Sequence, residues 1–246
     1  MIELLKNRIT IRKYLGEDVS NKLLNEILEA GTRASTTGNM QLYSIIITRD
    51  NKMKEELAPL HFNQPMVKNA PVLLTFCADF NRFNKWCRQR NAEPGYDNFL
   101  SFMTAAIDAL LVAQTVSIAA ESKGLGICYL GTVIYTAGRI IDLLGLPRGV
   151  VPVATLTLGW PGEFPEMVDR LPLDAVVHKE KYRDYTVEDI NEIYSKKESR
   201  ADSKQFIEEN SKETLAQVFT DVRYKKSDNE TFSGLLLEVI RKQGFI

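Results

Sequence analysis

Along the chain, apolar residues at helical spacing alternate with unbroken apolar runs. This pattern predicts helices that alternate with strands. A helix capped by Ser20 is predicted to end near Gly31, because apolar residues recur between them at helical spacing. Unbroken runs of branched apolar residues predict buried strands. These runs are 43–48, 71–79 and 150–160, with a shorter one at 127–131.

Several shorter segments carry weaker signals. Asp50 is predicted to cap a short helix that reaches about Leu60, and Gly145 with Pro147 is predicted to stop another one. Residues 81–97 are predicted to be irregular, because they include Pro94 and Gly95.

The most apolar long run, Phe99 to Ala120, is predicted to be a helix in the core of a folded domain. It contains Asp108 and Gln114, and a central Asp costs about 2.5 to 3.5 kcal/mol in a membrane helix. The pattern therefore favours a protein core over a membrane. Gly124 or Gly126 is expected to supply the left-handed residue that ends this helix.

The tail of the chain differs in composition from the body. From Tyr194 onward it is charged and polar, with helices predicted near 203–219 and 230–243. Because this tail has little apolar surface for a core of its own, it is predicted to pack on the body or on a partner subunit. We therefore expect a domain at 1–195 and a helical extension at 196–246.

Composition limits the partners and the compartment. The 246 residues include 31 Lys and Arg against 32 Asp and Glu, so nothing in the net charge attracts nucleic acid or an acidic membrane. Cys77, Cys87 and Cys128 are too scattered for a disulfide framework or a zinc site, and no metal is predicted. The first residues lack the apolar core of a signal peptide, which predicts a cytoplasmic protein.

Common catalytic motifs do not occur in the chain. The two histidines, His61 and His178, are not in HExxH spacing, and there is no GxSxG elbow. A P-loop and a GxGxxG fingerprint are also missing. ATP chemistry and a Rossmann-type dinucleotide site therefore have no support.

Two polar stretches remain as candidate binding sites. In "RITIRKY", Arg8, Thr10 and Arg12 are two residues apart, so an extended backbone places them on one side. Two guanidinium groups and a hydroxyl suit a phosphate, although solvated surface arginines are the alternative. The stretch "RASTTGNMQ", residues 33–41, is by itself equally typical of a plain turn.

Five motifs occur in the order and spacing of the nitroreductase family. They are "RITIRKY", "RASTTGNMQLYSII", "HFNQPMVKNAPVLLTFCADF", "AQTVSIAAESKGLGICYLG" and "LGLPRGVVPVATLTLGWPGE". The chain most resembles the NADPH-dependent flavin and nitro reductases with a C-terminal extension that ends in "KQGF". This resemblance implies an α+β fold, with a mixed, mostly antiparallel sheet flanked by helices. It also implies an intertwined homodimer with two FMN sites at the subunit interface.

The resemblance also suggests a role for each residue that matches a family motif. The phosphate of FMN is expected at Arg8, Thr10, Arg12 and Arg170. A loop that crosses the dimer interface to the ribityl chain and ring is expected to comprise Thr36, Thr37, Gly38, Asn39 and Gln41. The ring is expected to lie against Gln64 and the segment Tyr129, Leu130, Gly131 and Thr132. No side chain is assigned as a catalytic acid or base.

One motif departs from the family pattern. The family's Lys-Pro-Arg motif is Val168, Asp169 and Arg170 here. The loss of the lysine removes one cation, and Asp169 is expected to bring an unfavourable charge near the phosphate. Arg8 stands where the most similar group usually has His, and we expect it to compensate.

The implied reaction transfers hydride from NADPH or NADH through FMN to a nitroaromatic, quinone or flavin acceptor by ping-pong turnover. NADPH is favoured, with Arg200, Lys204 or Arg223 as candidates for its 2′-phosphate, although solvated surface charge is the alternative for each of them. One alternative is different chemistry on the same fold, such as that of a dehalogenase or a dehydrogenase. The other is a non-catalytic flavin-binding dimer.

Overall fold

The computed structural model describes residues 1–246 and contains one four-stranded sheet. The strands are β1 (Tyr43–Thr48), β2 (Val72–Asp79), β3 (Gly126–Leu130) and β4 (Val150–Gly159). They lie in the order β1-β2-β4-β3, and all three neighbouring pairs are antiparallel. The predicted α+β class with a mostly antiparallel sheet is confirmed.

The chain contains eleven α-helices. They are α1 (Ile2–Lys6), α2 (Asn21–Gly31), α3 (Asn51–Leu57), α4 (Pro65–Asn69), α5 (Asn81–Gln89), α6 (Phe99–Ser122), α7 (Ala137–Leu144), α8 (Val187–Ser199), α9 (Ala201–Glu209), α10 (Leu215–Gln217) and α11 (Lys226–Lys242). A π-helix, Val218–Arg223, follows α10.

Helix α6 lies at the centre of the core. Its buried face consists of small and branched residues such as Ala109, Val112 and Val116, which share one apolar cluster with Leu74 and Leu156 of the sheet. By length and composition α6 could cross a membrane, but half of that stretch is buried inside the protein, and core helices pass the same test. The predicted place of this helix in the core is confirmed.

The other face of α6 is apolar and exposed. Its large side chains are between 41% and 75% exposed: Phe99, Leu100, Met103, Ile107, Leu110 and Leu111. An isolated chain therefore presents a long apolar stripe to water, which typically marks an interface with another molecule.

The predicted ends of several helices agree with the structure. Ser20 accepts a hydrogen bond from the Leu23 amide and Asp50 accepts one from the Met53 amide, as N-caps do. Gly124 has a φ of +82° after α6, and Gly145 has a φ of +62° after α7.

The prediction of an irregular segment at 81–97 was wrong for its first half, which is α5. Phe83 and Trp86 lie three residues apart on this helix and pack into an aromatic group with Phe80 and Tyr96. Helix α8 was not predicted, although Thr186 and Asp189 form a capping box at its start.

Contacts divide the chain into two compact units, residues 1–166 with 232–246, and residues 167–231. In the first unit, Phe245 of the final segment is buried against Phe102 of α6. In the second unit, the Arg223 guanidinium lies 4.2 Å from the centre of the Phe206 ring. The expected boundary between residues 195 and 196 stays a prediction.

Candidate functional site

The segment with the two predicted phosphate-binding arginines runs beside β3. The Ile11 amide donates to the Ile127 carbonyl at 3.0 Å, and the Ile11 side chain is buried against Gly126. Because side chains alternate along an extended segment, the residues at even positions face away from this core contact. These residues are Arg8, Thr10 and Arg12.

Arg8 and Arg12 both act on the thiol of Cys128. Burial raises the pKa of this thiol, and both guanidinium groups oppose the rise because they favour the thiolate. The attraction between a guanidinium group and a thiolate falls off with distance, so both cations lie near Cys128 in the middle of β3. Between them, Thr10 is half-buried and its hydroxyl makes no hydrogen bond within the protein.

A carboxylate holds the backbone at Arg12 and Lys13. The amides of Arg12 and Lys13 both donate to Glu163 Oε1 at 3.1 Å. The hydrogen bond from the Arg12 amide is the main reason why the pKa of Glu163 is lowered. The backbone of Arg12 is therefore held while its side chain remains exposed.

Arg8 already has an anionic partner within the protein. Its Nε lies 3.0 Å from Glu121 Oε1 of α6, and the two side chains are only 20% and 9% exposed. Burial raises the pKa of Glu121, while the charge of Arg8 opposes this rise. Glu121 is not predictable from local sequence, because nothing near it distinguishes it from a surface acid at the end of a helix.

The loop of residues 36–41 is anchored by Asp108, which is 1% exposed in α6. The Asp108 carboxylate accepts hydrogen bonds from the Thr36 hydroxyl and from both the amide and the hydroxyl of Thr37, at 3.0 and 3.1 Å for Thr37. It also accepts from the Leu42 amide at 3.2 Å. Asp108 thus satisfies the backbone of a loop that has little regular structure.

The tip of the loop has an unusual backbone. Gly38, Asn39 and Gln41 have φ values of +54°, +56° and +53°, in the left-handed region. Arg82 of α5 donates to the carbonyls of Gln41 and Tyr43, and so supports the loop from outside. The side chains of Asn39 and Gln41 are exposed, with Gln41 Nε2 donating to Asn39 at 3.0 and 3.1 Å.

The two segments expected at the flavin ring are joined by a buried histidine. His61 is fully buried, and its Nδ1 lies 2.8 Å from Thr132 Oγ1. Burial lowers the pKa of His61 to about 4, so the ring is neutral near pH 7. The Thr136 hydroxyl adds a second link by donating to the Leu60 carbonyl at 2.7 Å. The backbone amide of Gln64 donates to the His61 carbonyl at 3.2 Å, so Gln64 follows His61 in a tight turn.

Within this segment the backbone is exposed at Gly131, directly after the buried Leu130. Leu130 is buried, whereas a Cβ at Gly131 would meet no atom within 4 Å. The Tyr129 hydroxyl lies 3.3 Å from Ser117 Oγ and 3.4 Å from Gln114 Oε1, so this side chain is directed to α6. Without a side chain at Gly131, a flat ligand can approach the backbone closely there.

The structure corrects the expectation for Asp169. Its carboxylate is 6% exposed and lies 3.2 Å from Lys197 Nζ and 3.9 Å from Arg200 Nε. Because two cations in the same unit compensate this charge, it is not the unbalanced charge that the sequence suggested. Arg170 is exposed, and its Nη1 donates to the carbonyls of Val168 and Asp169 at 3.5 and 2.9 Å.

The three cations considered for a 2′-phosphate differ in their surroundings. Arg200 makes two hydrogen bonds to Asp202, at 2.8 and 3.0 Å. Arg223 stacks on Phe206. Lys204 is exposed and its ammonium forms no ion pair. All three stay predictions for this role.

The residues present fit a phosphate-bearing flavin. Arg8 and Arg12 lie beside β3 together with Thr10, whose hydroxyl has no protein partner, and the exposed Gly131 follows the same strand. No group of three or more His, Cys, Asp or Glu side chains is arranged to hold a metal ion.

Helix α6 separates the loop from the ring segment. Asp108 holds the loop and Ser117 holds Tyr129. Ser117 follows Asp108 by nine residues. At 100° and 1.5 Å per residue, the two side chains lie on opposite sides of the helix and roughly 14 Å apart along its axis. The loop and the ring segment of one chain are therefore placed on different sides of α6.

Comparisons with known proteins agree with this fold. The model of the Nitroreductase family matches residues 5–160. An NADPH-dependent oxidoreductase of Staphylococcus epidermidis is 31% identical over 253 residues, which cover 99% of this chain and 97% of that protein. A crystal structure of a Bacteroides fragilis protein is 60% identical, with a TM-score of 0.98 and 99% of both chains covered. The NADPH:FMN oxidoreductase from Vibrio harveyi, solved in complex with NAD⁺, is 26% identical with a TM-score of 0.80, covering 99% of this chain and 97% of that one.

Proposed function

The chain belongs to the nitroreductase family, and we propose that it is an FMN-dependent oxidoreductase that takes hydride from NADPH or NADH. It passes the electrons to a small, flat acceptor of the nitroaromatic, quinone or flavin class. The observation that carries this proposal is the likeness along nearly the whole chain to an oxidoreductase named for NADPH. The Vibrio harveyi protein, named for both NADPH and FMN, supports the flavin as the cofactor.

We assign the phosphate of FMN to Arg8, Thr10 and Arg12. Two guanidinium groups supply charge-assisted donors to a phosphate, and the Thr10 hydroxyl is available because it has no partner in the protein. Arg170 stays a prediction as a further phosphate ligand.

The flavin ring is assigned to Gln64 and the backbone at 129–132. When bound, FMN supplies the hydride chemistry at N5. Gln64 offers an amide donor, and Gly131 is exposed with open space where a side chain would stand, so both residues can orient the ring. The loop residues Asn39 and Gln41 offer further donors where negative charge develops on reduction. No protein acid or base is required by this assignment.

We further propose that the loop residues Thr36, Thr37, Gly38, Asn39 and Gln41 serve the cofactor of a partner subunit in a homodimer. The position of the loop across α6 from its own ring segment supports this arrangement. The exposed apolar face of α6 supports a second copy of the chain as the molecule that covers it. A large apolar contact of this kind is typical of obligate homodimers.

NADPH is proposed as the preferred donor, because the relative matched over 99% of this chain is named for NADPH. A cytoplasmic location is proposed as well, since all three cysteines are free and free thiols are typical of reducing compartments.

Initial-velocity kinetics test the proposed function. With NADPH and a quinone varied together, ping-pong turnover gives parallel lines in a double-reciprocal plot. A nitroaromatic in place of the quinone should give the same pattern. Intersecting lines, or turnover with neither acceptor, would contradict the proposal and favour different chemistry on this fold or a non-catalytic flavin-binding dimer.

A further inference from the structure

A buried acid lies beside the arginine assigned to the cofactor phosphate. Glu121 is in the last turn of α6, and its Oε1 is 3.0 Å from Arg8 Nε. The pair is not well satisfied, because Arg8 Nε and Glu121 Oε2 are both buried and have no hydrogen bond. The ion pair therefore has close charges but poor hydrogen-bond geometry.

The surroundings of Glu121 disfavour its negative charge, and Arg8 compensates for this. The carboxylate is largely buried, which disfavours its charged form. It also stands near the C-terminal end of a helix, where the helix dipole is negative. Arg8 is the cation in contact with it, so the ion pair would be costly to break.

A phosphate and the Glu121 carboxylate require the same donors. Arg8 offers N–H groups in one planar fork, and both anions are recognised by that fork. The two anions would also repel each other across the guanidinium group. A phosphate that approaches Arg8 therefore meets a cation whose charge is already largely neutralised.

We infer that Glu121 competes with the phosphate of FMN for Arg8, and so holds the affinity for FMN below that which Arg8 and Arg12 alone would give. This inference rests on the proposed function, because it requires the phosphate to lie at Arg8.

The cavity beside the ion pair is consistent with this role. It has a volume of about 470 Å³, and Arg8, Glu121, Gly124 and Gly126 are among the residues that line it. The competing carboxylate thus faces space at the edge of β3 and is not sealed in the main core.

Binding of FMN and of riboflavin to Glu121→Gln tests the inference. Glutamine keeps the size and one acceptor but removes the charge. We expect the Kd for FMN to fall about tenfold, because one negative charge is removed next to the phosphate. The Kd for riboflavin, which has no phosphate, should change less than about twofold. Both constants are measured by quenching of flavin fluorescence in the full-length protein.

A matched control removes the same charge from α2, at a carboxylate that pairs with the residue after α6. Glu26 of α2 lies 2.5 Å from Lys123 and is 56% exposed, so Glu26→Gln should leave both constants unchanged. Glu121→Met, which removes the charge and the acceptor together, should also tighten FMN relative to riboflavin. If Glu121→Gln does not fold, Glu121→Met provides the same comparison of FMN with riboflavin.

The outcomes separate this inference from the proposed function. If the wild type prefers FMN over riboflavin and the Glu121 variants do not strengthen that preference, competition is overturned while the phosphate site stands. If the wild type shows no preference for FMN, the assignment of the phosphate to Arg8 fails and the inference falls with it.

Discussion

At the scale of single residues, the candidate site is shaped by polar side chains that are not expected to touch the cofactor. Asp108 holds the loop, His61 joins the two ring segments, and Glu121 pairs with Arg8. Each is buried or nearly so, and each acts on a segment far away in sequence. Their effects should therefore be visible both in stability and in flavin binding.

Arg8→Ala should weaken FMN binding by about tenfold or more, since a hydrogen bond to a charged group contributes about 1.5 to 3 kcal/mol. Fluorescence quenching by the protein measures this change, with riboflavin as the ligand that should be little affected. Arg90→Ala, at an exposed arginine after α5, is the control. A loss much smaller than tenfold would remove Arg8 from the phosphate site.

His61 should make the protein less stable as the pH falls from about 6.5 to about 4. The pKa is about 4 in the fold against 6.5 for the free side chain. Between these values the unfolded chain binds a proton that the folded chain does not, so acid favours unfolding. The loss should reach roughly 3 kcal/mol at pH 4.

Urea unfolding of His61→Gln between pH 4 and pH 7.5 isolates this contribution. The variant cannot titrate at residue 61, so its stability should decline less steeply than that of the wild type over the same range. Equal slopes for both proteins would show that His61 is not buried in its neutral form.

At the scale of elements, α6 organises the site. One face packs on the sheet, Asp108 holds the loop on one side, and Ser117 supports Tyr129 on another. The same helix carries Glu121 at its end and the apolar stripe on its outer surface. A single element therefore connects the phosphate region, the loop and the expected dimer contact.

Asp108→Ala should release the loop. Four hydrogen bonds to a buried carboxylate are lost, and their removal should destabilise the fold by roughly 2 to 3 kcal/mol. Hydrogen exchange should quicken at the amides of Thr37 and Leu42, both of which donate to Asp108. Asp97→Ala, at an exposed acid before α6, should leave these amides protected. Unchanged exchange in the Asp108 variant would contradict its anchoring role.

The elements themselves were largely predictable from local pattern. Ser20, Asp50 and Gly124 mark helix ends by chemistry that acts within one turn. Helix α5 was not predicted, because its stability depends on contacts of Phe83 with Phe80 and Tyr96, which local spacing does not reveal. The partners of Asp108, Glu121 and Asp169 could not be predicted from the sequence around each residue, since each ion pair or hydrogen bond joins segments that are distant in sequence.

At the scale of the whole molecule, the account depends on a second copy of the chain. The loop and the ring segment lie on different sides of α6, and the outer stripe of α6 is exposed in a single chain. Both features are explained if two chains pack through this helix and each contributes a loop to the other's cofactor.

Ile107→Glu should disrupt the dimer, because a charge is introduced into the apolar stripe and would be buried without a partner. Light scattering after gel filtration should give a mass near the 27.9 kDa of one chain, against twice that mass for the wild type. Gln89→Glu, at an exposed position of α5, adds the same charge and should leave the mass unchanged. FMN binding should be lost together with the dimer, and a monomer that retains full FMN affinity would refute the shared site.

The visible absorption spectrum of the FMN-loaded protein under anaerobic conditions tests the central claim most directly. Addition of one equivalent of NADPH should bleach the oxidised flavin band, and a nitroaromatic or quinone added afterwards should restore it. A band that persists with both NADPH and NADH, or a bleached band that neither acceptor restores, would contradict an oxidoreductase of this type.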